Sequence, residues 1–484
     1  MKLSYILEQT NYIKYYGDID IEIENLSSNS NEIKKNGIFI AIKGYNIDGN
    51  TFIPHAIKKG AKIIVTENSF IFDDVTTVKV KCSRVFFAEI SKIFYNSNCD
   101  NLKFFGITGT NGKTSVSFMI KSILDLANKK NGLIGTIHNE FSDFIFPSVR
   151  TTPEADDLHK LLNRMERSDC ENVIMEVSSH SISQKRVHGI KFNMTIFTNL
   201  TEEHLDFHSS MDDYFRQKKK LFYQMKNNFS PIIINIDDNY GLKLYEEFKS
   251  QSLTYGLSQK ASYRATEIKI KKNKTKFLLV DPQNKKTRFI IPFIGIHNVY
   301  NALASVVALH KSGLKLNEIK KNFLKVKDIP GRLQLVSKKN KKLIYIDYAH
   351  TEKALLMVLQ SLNLIRKNKL WLVFGCGGNR DKNKRQKMGQ VAKFYADNII
   401  ITSDNPRYEN ELDICNEIMI GCTNHDNVKI ILDRKKAIKT AINKSQKNDI
   451  ILIAGKGHEN YQEINGKMIT FNDAEVVHEV LNDK

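Results

Sequence analysis

The sequence predicts an α/β protein of three domains: a small N-terminal α/β domain (residues 1–98), a central P-loop-type domain with a mostly parallel sheet (99–329), and a C-terminal Rossmann-like domain (330–484). Three observations predict this. Short apolar runs alternate with stretches of helical period, the rhythm of strand–helix–strand units. One run ends in a glycine-rich turn that opens a helix. Ile329-Pro330-Gly331 then breaks the alternation, which starts again beyond it. The 484-residue length suits about three cores of ordinary size.

In the first domain, residues 38–42 read as a strand, 44–49 as a turn, 51–59 as a helix and 61–66 as a second strand. In the second, 102–105 is a buried strand. Val116, Met119, Ile120, Ile123, Leu124 and Ala127 follow at helical spacing, so a helix begins near Lys113. Further strands fall at 173–177, 194–198 and 232–236, and the Lys-rich stretch 261–292 has the alternation of an antiparallel excursion. In the third domain, strands at 343–346, 370–374, 399–402, 428–432 and 450–454 alternate with helical segments, as in a doubly wound sheet.

Composition narrows the function classes. The formal net charge of +20 raises the question of an anionic partner. Lysine is nevertheless scattered through nearly every helix and loop, and the dense runs 218–220 and 382–387 lack the interleaved aromatics of a single-strand binder. A nucleic-acid partner is therefore not expected. The six cysteines form no CxxC pair and no zinc-like spacing, so reduced thiols in a cytoplasmic enzyme are expected. No run of 18 apolar residues occurs, so no membrane partner is expected, and Glu8 interrupts the N-terminal apolar stretch, so no secretory leader is expected.

The chemistry concentrates beyond the carboxyl ends of strands, where open α/β sheets bind ligands. Gly106-Ile107-Thr108-Gly109-Thr110-Asn111-Gly112-Lys113-Thr114 joins the strand at 102–105 to its helix. Glycines let backbone N–H groups approach an anion, the helix dipole favours negative charge, Lys113 adds a point charge and Thr114 offers a hydroxyl to Mg²⁺. Ile107 stands where the strict phosphate-loop pattern has Gly, so this is a variant; the bland alternative is a turn that only caps the helix. Next comes Arg150-Thr151-Thr152-Pro153. Glu176 in Met175-Glu176-Val177-Ser178-Ser179-His180 suits a Mg²⁺ ion that keeps most of its waters, unless Ser178 simply caps a helix and Glu176 pairs locally. His204 and His208 flank Asp206 and suit a metal or phosphate, against the common case of a structural histidine.

In order along the chain, Gly-Ile-Thr-Gly-Thr-Asn-Gly-Lys-Thr, Glu-Val-Ser-Ser-His, Thr-Asn-Leu-(three residues)-His-Leu-Asp, Gly-Ile-His-Asn-Val-Tyr-Asn-Ala (295–302), Pro-Gly-Arg (330–332) and Asp-Tyr-Ala-His-Thr (347–351) resemble the motifs of the ATP-dependent Mur ligases. The closest resemblance is to the branch that adds the third amino acid to UDP-MurNAc-L-Ala-D-Glu. It implies that the three domains bind UDP-sugar, ATP and amino acid in turn. It also implies an acyl phosphate, made when the substrate carboxylate attacks the γ-phosphate and then displaced by an amine. ATP would contact Gly109, Thr110, Asn111, Gly112, Lys113, Thr114, Ser115, Asn298, Arg332 and Asp347. Mg²⁺ would be held by Thr114, Glu176, His204 and Lys218, the last as N6-carboxylysine, with Lys113, Glu176, His204 and Lys218 carrying the catalytic roles. For Lys218 the alternative is a solvated helix face. The UDP-MurNAc-dipeptide would touch Ser30, Thr151, Thr152, Ser178, Gln184 and Arg186, although Asn31 stands where the family has Arg.

The amino acid implied is meso-diaminopimelate, through Asp404-Asn405-Pro406-Arg407 together with Arg380, Gly455 and Glu459. Arg can grip the distal carboxylate, which lysine lacks, with two parallel N–H bonds. The alternative for Arg407 is a surface turn residue, because Asn-Pro opens turns. A lysine-adding ligase, or another Mur or folylpolyglutamate-type ligase, stays open. The partners expected are the three small substrates, taken by a monomer.

Overall fold

The computed structural model describes residues 1–45, 47–338 and 342–482. The chain divides into two compact units: Met1–Gly106, Lys129–Thr195 and Gln217–Ser230 form one, and Ile107–Asn128, Ile196–Arg216 and Pro231–Lys484 the other. The α/β class is as expected.

The first unit holds a five-stranded sheet in the order Lys14–Tyr16, Thr76–Lys79, Ala61–Thr66, Gly37–Ile40, Asn25–Ser27, parallel except for the first strand. Alternation sorts its side chains between two cores. Ile38, Ile40, Ile63 and Val65 join Phe86, Phe87 and Ile90 of helix Ser83–Phe94, whereas Phe39 and Ile64 join Ile53 and Ala56 of helix Ile53–Lys58. The strand expected over 38–42 ends at Ile40. The helix expected over 51–59 starts as a 3₁₀ turn, Gly49–Phe52, and becomes α only at Ile53. Asp48 caps that turn by accepting from Asn50 N, and Pro54 fits the first α turn, which needs no N–H donor there.

The rest of this unit includes Asn172–Glu176 parallel to Asn131–Ile134, followed by antiparallel partners His138–Phe141 and Phe144–Pro147. The strands over 131–147 were not anticipated. Each is only four residues long, too short to show a clear period.

The second unit, which takes up the chain at Ile196 within strand Met194–Phe197, carries Ile232–Asn235, Ser252–Gly256 and Tyr263–Lys271 in that order. The last of these turns back through Lys274–Val280 and Lys286–Ile291, the antiparallel excursion expected over 261–292. Helix Ile296–Lys311 has eleven buried residues around its circumference, as a helix wedged into a core must.

Beyond Pro330 lies a six-stranded sheet. Gln334–Ser337 runs antiparallel to Leu343–Asp347, and Ile450–Ala454, Leu370–Phe374, Asn398–Ile401 and Val428–Ile430 follow in parallel. Tyr345, Leu372, Ile399 and Leu452 enter one core, and Ile346, Val373, Ile400 and Ile453 the other, so both faces are buried. The carboxyl ends of three adjacent strands therefore present residues 375–380, 402–407 and 455–459 side by side.

Candidate functional site

The glycine-rich turn lies in the second unit. Strand Lys103–Thr108 leads into it and helix Lys113–Leu126 leaves it. Gly112, at φ +90°, is the residue before the helix, and Gly109 has φ +145°. A Cβ at Gly109 would overlap Thr198 Oγ1, and one at Gly112 would lie 2.5 Å from Asn301 Oδ1, so neither position has room for a side chain. Lys113 Nζ donates to Gly109 O at 2.9 Å and Thr110 O at 2.8 Å, which folds the turn around its own ammonium.

Asn199 braces the turn from a neighbouring strand end. Its carbonyl accepts from Thr110 N, its side-chain oxygen accepts from Asn111 N, and its amide donates to Asn111 O at 3.0 Å. Ser115 is buried in the first helical turn. Arg332 Nη2 donates to Thr114 Oγ1 at 3.1 Å, and the guanidinium lies 4.6 Å from the Tyr348 ring centroid. Asp347 accepts from Leu333 N and Ala349 N, and burial raises its carboxyl to about 6, with Arg332 opposing. Asn298 is buried and bonded to Ile294 O and Asn301. Most of the ATP residues expected in the sequence thus meet around this turn.

The two histidines that flank Asp206 differ. His208 is buried and stacked on Tyr214, with ring centroids 4.9 Å apart, so it is a packing residue. His204, at φ +58°, keeps 41% of its side chain exposed and faces Glu203 Oε2 at 3.7 Å. Glu203 also meets His350 Nε2 at 3.1 Å. Burial alone would raise its carboxyl, but the His350 bond and the charges of His204, His350 and Lys113 outweigh burial and hold it far below the usual range.

Glu176 and Lys218 belong to the first unit. Glu176 is wholly buried; Oε1 accepts from Thr136 N at 3.1 Å and Oε2 from Thr136 Oγ1 at 2.9 Å. Gly135 makes room, since a Cβ there would overlap Oε1. Thr151 Oγ1 lies 3.1 Å from Thr136 Oγ1, Thr152 Oγ1 donates to the Glu176 carbonyl, and Arg186 donates to Thr152 O and pairs with Glu154 at 2.9 Å. Gln184 accepts from the same guanidinium.

Ser178 does cap helix Ser179–Ser183 by accepting from Ser181 N, so its local alternative is realised. Ser30 stands apart from this group, 3.0 Å from His55 Nδ1. Among three consecutive lysines only Lys218 is buried, at 1% exposure; Lys219 is half-buried and Lys220 exposed. Among the described residues no three His, Cys, Asp or Glu side chains converge on a metal position.

The amino-acid residues expected from the sequence gather beyond Pro330. Asn405 Nδ2 donates to Glu459 Oε2 at 2.8 Å, and the fully buried Lys456 donates to Asn405 Oδ1 and Glu459 Oε2, both at 2.9 Å. Asp404 Oδ2 is buried without a hydrogen-bond partner among the described residues, and a Cβ on Gly455 would lie 2.5 Å from it. Pro406 is buried between Asn405 and Arg407. Arg407, at φ +55°, donates from Nη1 to Gly378 O at 2.7 Å and pairs through Nε with Glu463 Oε2 at 3.0 Å. It is therefore not a free surface turn residue. Arg380 alone is exposed and makes no hydrogen bond among the described residues.

Geometry adds residues that the motifs did not single out. Glu203 and Lys456 lie inside recognised stretches, but nothing local distinguishes them from their neighbours. Glu463 lies in a hairpin with no motif. Arg385, 1% exposed, bonds both oxygens of Glu409, whose Oε1 also accepts from Asn379 N.

A phosphate-binding turn in one part of the molecule and a charged, doubly wound strand-end cluster in another define a nucleotide-using α/β enzyme. Residues 22–92, 107–309 and 331–457 match the family models described as Mur ligase family, catalytic domain; Mur ligase middle domain; and Mur ligase, glutamate ligase domain. The chain is 42% identical to the UDP-N-acetylmuramoyl-L-alanyl-D-glutamate–2,6-diaminopimelate ligase of Clostridium tetani, with all of both chains covered. It is 41% identical to the corresponding ligase 1 of Clostridium acetobutylicum, again over both full lengths. A solved structure of a ligase of the same name aligns with a TM-score of 0.70 at 30% identity, covering 100% of this chain and 99% of the other. The chain belongs to the Mur ligase family.

Proposed function

We propose that this ligase adds meso-diaminopimelate to UDP-MurNAc-L-Ala-D-Glu at the expense of ATP, a step of peptidoglycan precursor synthesis. The turn Gly109–Ser115, with Asn298, Arg332 and Asp347, takes ATP; the segment 1–98 with Thr151, Thr152, Ser178, Gln184 and Arg186 takes the UDP-MurNAc-dipeptide; and the segment 330–484 takes the amino acid. The substrate carboxylate attacks the γ-phosphorus and ADP leaves. The amine of diaminopimelate then adds to the acyl phosphate, and inorganic phosphate departs as the amide forms. Such chemistry asks the protein mainly for positioning and charge compensation.

Each unit offers a group that suits Mg²⁺. In the first, Glu176 has both oxygens oriented by Thr136; in the second, Thr114 carries a hydroxyl beside the phosphate turn; and Mg²⁺ ordinarily takes few protein carboxylates and keeps waters and phosphate oxygens. When bound, Mg²⁺ neutralises phosphate charge. Carbamylation of the buried Lys218 would turn a cation into an anionic oxygen ligand. Its marks are a mass increase matching one CO₂ in gently handled intact protein and rescue of Lys218→Ala by a short carboxylic acid; failed rescue, with Lys219→Ala behaving identically, would end that assignment. Use of ATP and a nucleotide sugar as substrates supports a cytoplasmic enzyme. Among the described residues no helix is long and apolar enough to cross a membrane. A single chain carries every residue proposed for all three substrates, which supports a monomer.

The observation that carries the choice of amino acid is the Asp404–Arg407 turn, where an arginine in left-handed backbone follows a buried Asp404 and an Asn405 that is bonded to Glu459 and Lys456. The test is ADP release with UDP-MurNAc-L-Ala-D-Glu and either meso-diaminopimelate or lysine. Wild type is expected to use diaminopimelate. Arg407→Ala should lose about 100-fold or more in kcat/KM for it, the scale of a lost charged hydrogen-bond pair. Equal use of lysine, or an indifferent Arg407→Ala enzyme, refutes the choice.

A further inference from the structure

We propose that Glu463 is a specificity-determining positioning residue: it aims the Arg407 guanidinium at the distal carboxylate of the amino-acid substrate. This rests on the reading of Arg407 given above.

Arg407 is an unusual place for a grip. Its φ of +55° is the left-handed region, which a residue with a side chain enters only when its surroundings hold it there. A hairpin, Tyr461–Ile464 paired with Lys467–Thr470, does the holding. Arg407 N donates to Glu463 O at 3.0 Å and Asn465 N donates to Arg407 O at 2.7 Å. The hairpin turns at Asn465 and Gly466, both at positive φ, and a Cβ on Gly466 would lie 2.6 Å from Tyr408 Oη, so the turn sits directly on the residue after Arg407.

The side chains repeat the arrangement. Glu463 Oε2 lies 3.0 Å from Nε as an ion pair, and Gly378 O accepts from Nη1 at 2.7 Å. Two anchors fix both the plane and the rotation of a planar fork. Among the described residues Nη2 makes no hydrogen bond, so the end of the fork remains for a ligand carboxylate. Glu463 N also donates to Asn405 Oδ1 at 3.0 Å, which ties the same residue to the neighbouring contact.

Charge and geometry predict opposite signs here. On charge alone, removing Glu463 leaves Arg407 less compensated and should tighten a dicarboxylate. At 19% and 25% exposure the pair still reaches solvent, which screens part of that effect. Losing one of two anchors lets the fork rotate, and misplaced positioning groups are costly.

The experiment compares Glu463→Ala and Glu463→Gln with wild type by ADP release on meso-diaminopimelate and on lysine. It also follows the rate at which phenylglyoxal modifies Arg407, read by peptide mass spectrometry. Glu463→Ala should raise KM for diaminopimelate about tenfold, with kcat within about threefold, and speed Arg407 modification. Glu463→Gln keeps the length of the side chain and an oxygen facing Nε but loses the charge, and should recover both values in part. Parameters for lysine, which has no distal carboxylate, should not move.

A lower or unchanged KM for diaminopimelate in the alanine variant overturns the proposal, as do equal changes for both amino acids. Should that variant fail to fold, Glu463→Asp, one methylene short, carries the same expectation. If wild type does not use diaminopimelate, the reading of the substrate fails. The modification rates need no substrate, and an unchanged rate in Glu463→Ala separately overturns the positioning of Arg407.

Discussion

The turn at Gly109–Ser115 and the cluster around Asp404–Arg407 both lie beyond carboxyl ends of strands in one compact unit, yet they are built in opposite ways. The turn is made of backbone. Its glycines have no space for Cβ atoms, and Lys113, Asn199 and Thr198 spend their polar groups holding main-chain atoms in place. The cluster is made of side chains. Asn405, Lys456, Glu459, Arg407 and Glu463 satisfy one another across segments that are distant in the chain. A backbone site fails when conformation is restricted, whereas a side-chain site fails when one charge loses its partner.

The largest expected effect tests the second half of that contrast. Arg434 and Asp473 are both fully buried and paired at 2.8 Å, and Arg434 Nη2 also donates to Ala454 O, directly before Gly455. Arg434→Ala leaves a buried carboxylate uncompensated and should cost about 3–5 kcal/mol in urea unfolding. A loss below about 1 kcal/mol would mean that buried charge does not underpin the cluster.

Next in size, Gly109→Ala should reduce ATP turnover by about 100-fold while circular dichroism stays native, because the turn must open to admit the methyl. Adding Thr198→Ala removes the overlap with Oγ1 but leaves Asn199 O 3.0 Å from the new Cβ and the φ of +145°, so recovery should be partial. Full activity in the single variant would show that side chains, not backbone, make the phosphate site.

The smallest effect concerns acid. Hydrogen bonding to Arg385 holds the Glu409 carboxyl down at about 2 from 4.5, against burial and helped by Asn379 N. A depressed carboxyl contributes stability that is present above its ordinary value and lost as pH falls from about 4.5 towards 2. In Glu409→Gln the slope of stability against pH should flatten in that window, by about 1 kcal/mol or less across it. An unchanged slope would remove Glu409 from the acid response.

Short-range chemistry made much of this readable beforehand. Apolar runs at 370–374 and 450–454 are strands covered on both faces, and 61–66 is one whose only exposed residue is Lys62 near its start. Lys113 does open its helix, and Pro330-Gly331 does precede a new sheet. Reading was poorest where elements are short, as at 131–147, or where a cap and a proline share one turn, as at 48–54.

The sequence by itself determined the doubly wound pattern, the strand–turn–helix around Lys113 and the order of the motifs, because each depends on residues only a few positions apart. Only the tertiary structure decided that Lys218 is the buried lysine of three, that His208 is buried flat against Tyr214 while His204 meets the same ring edge-on and stays 41% exposed, and that Arg332 meets Thr114 across 218 positions and Glu203 meets His350 across 147. Burial and charge pairing are properties of neighbours in space, and no local spacing carries them.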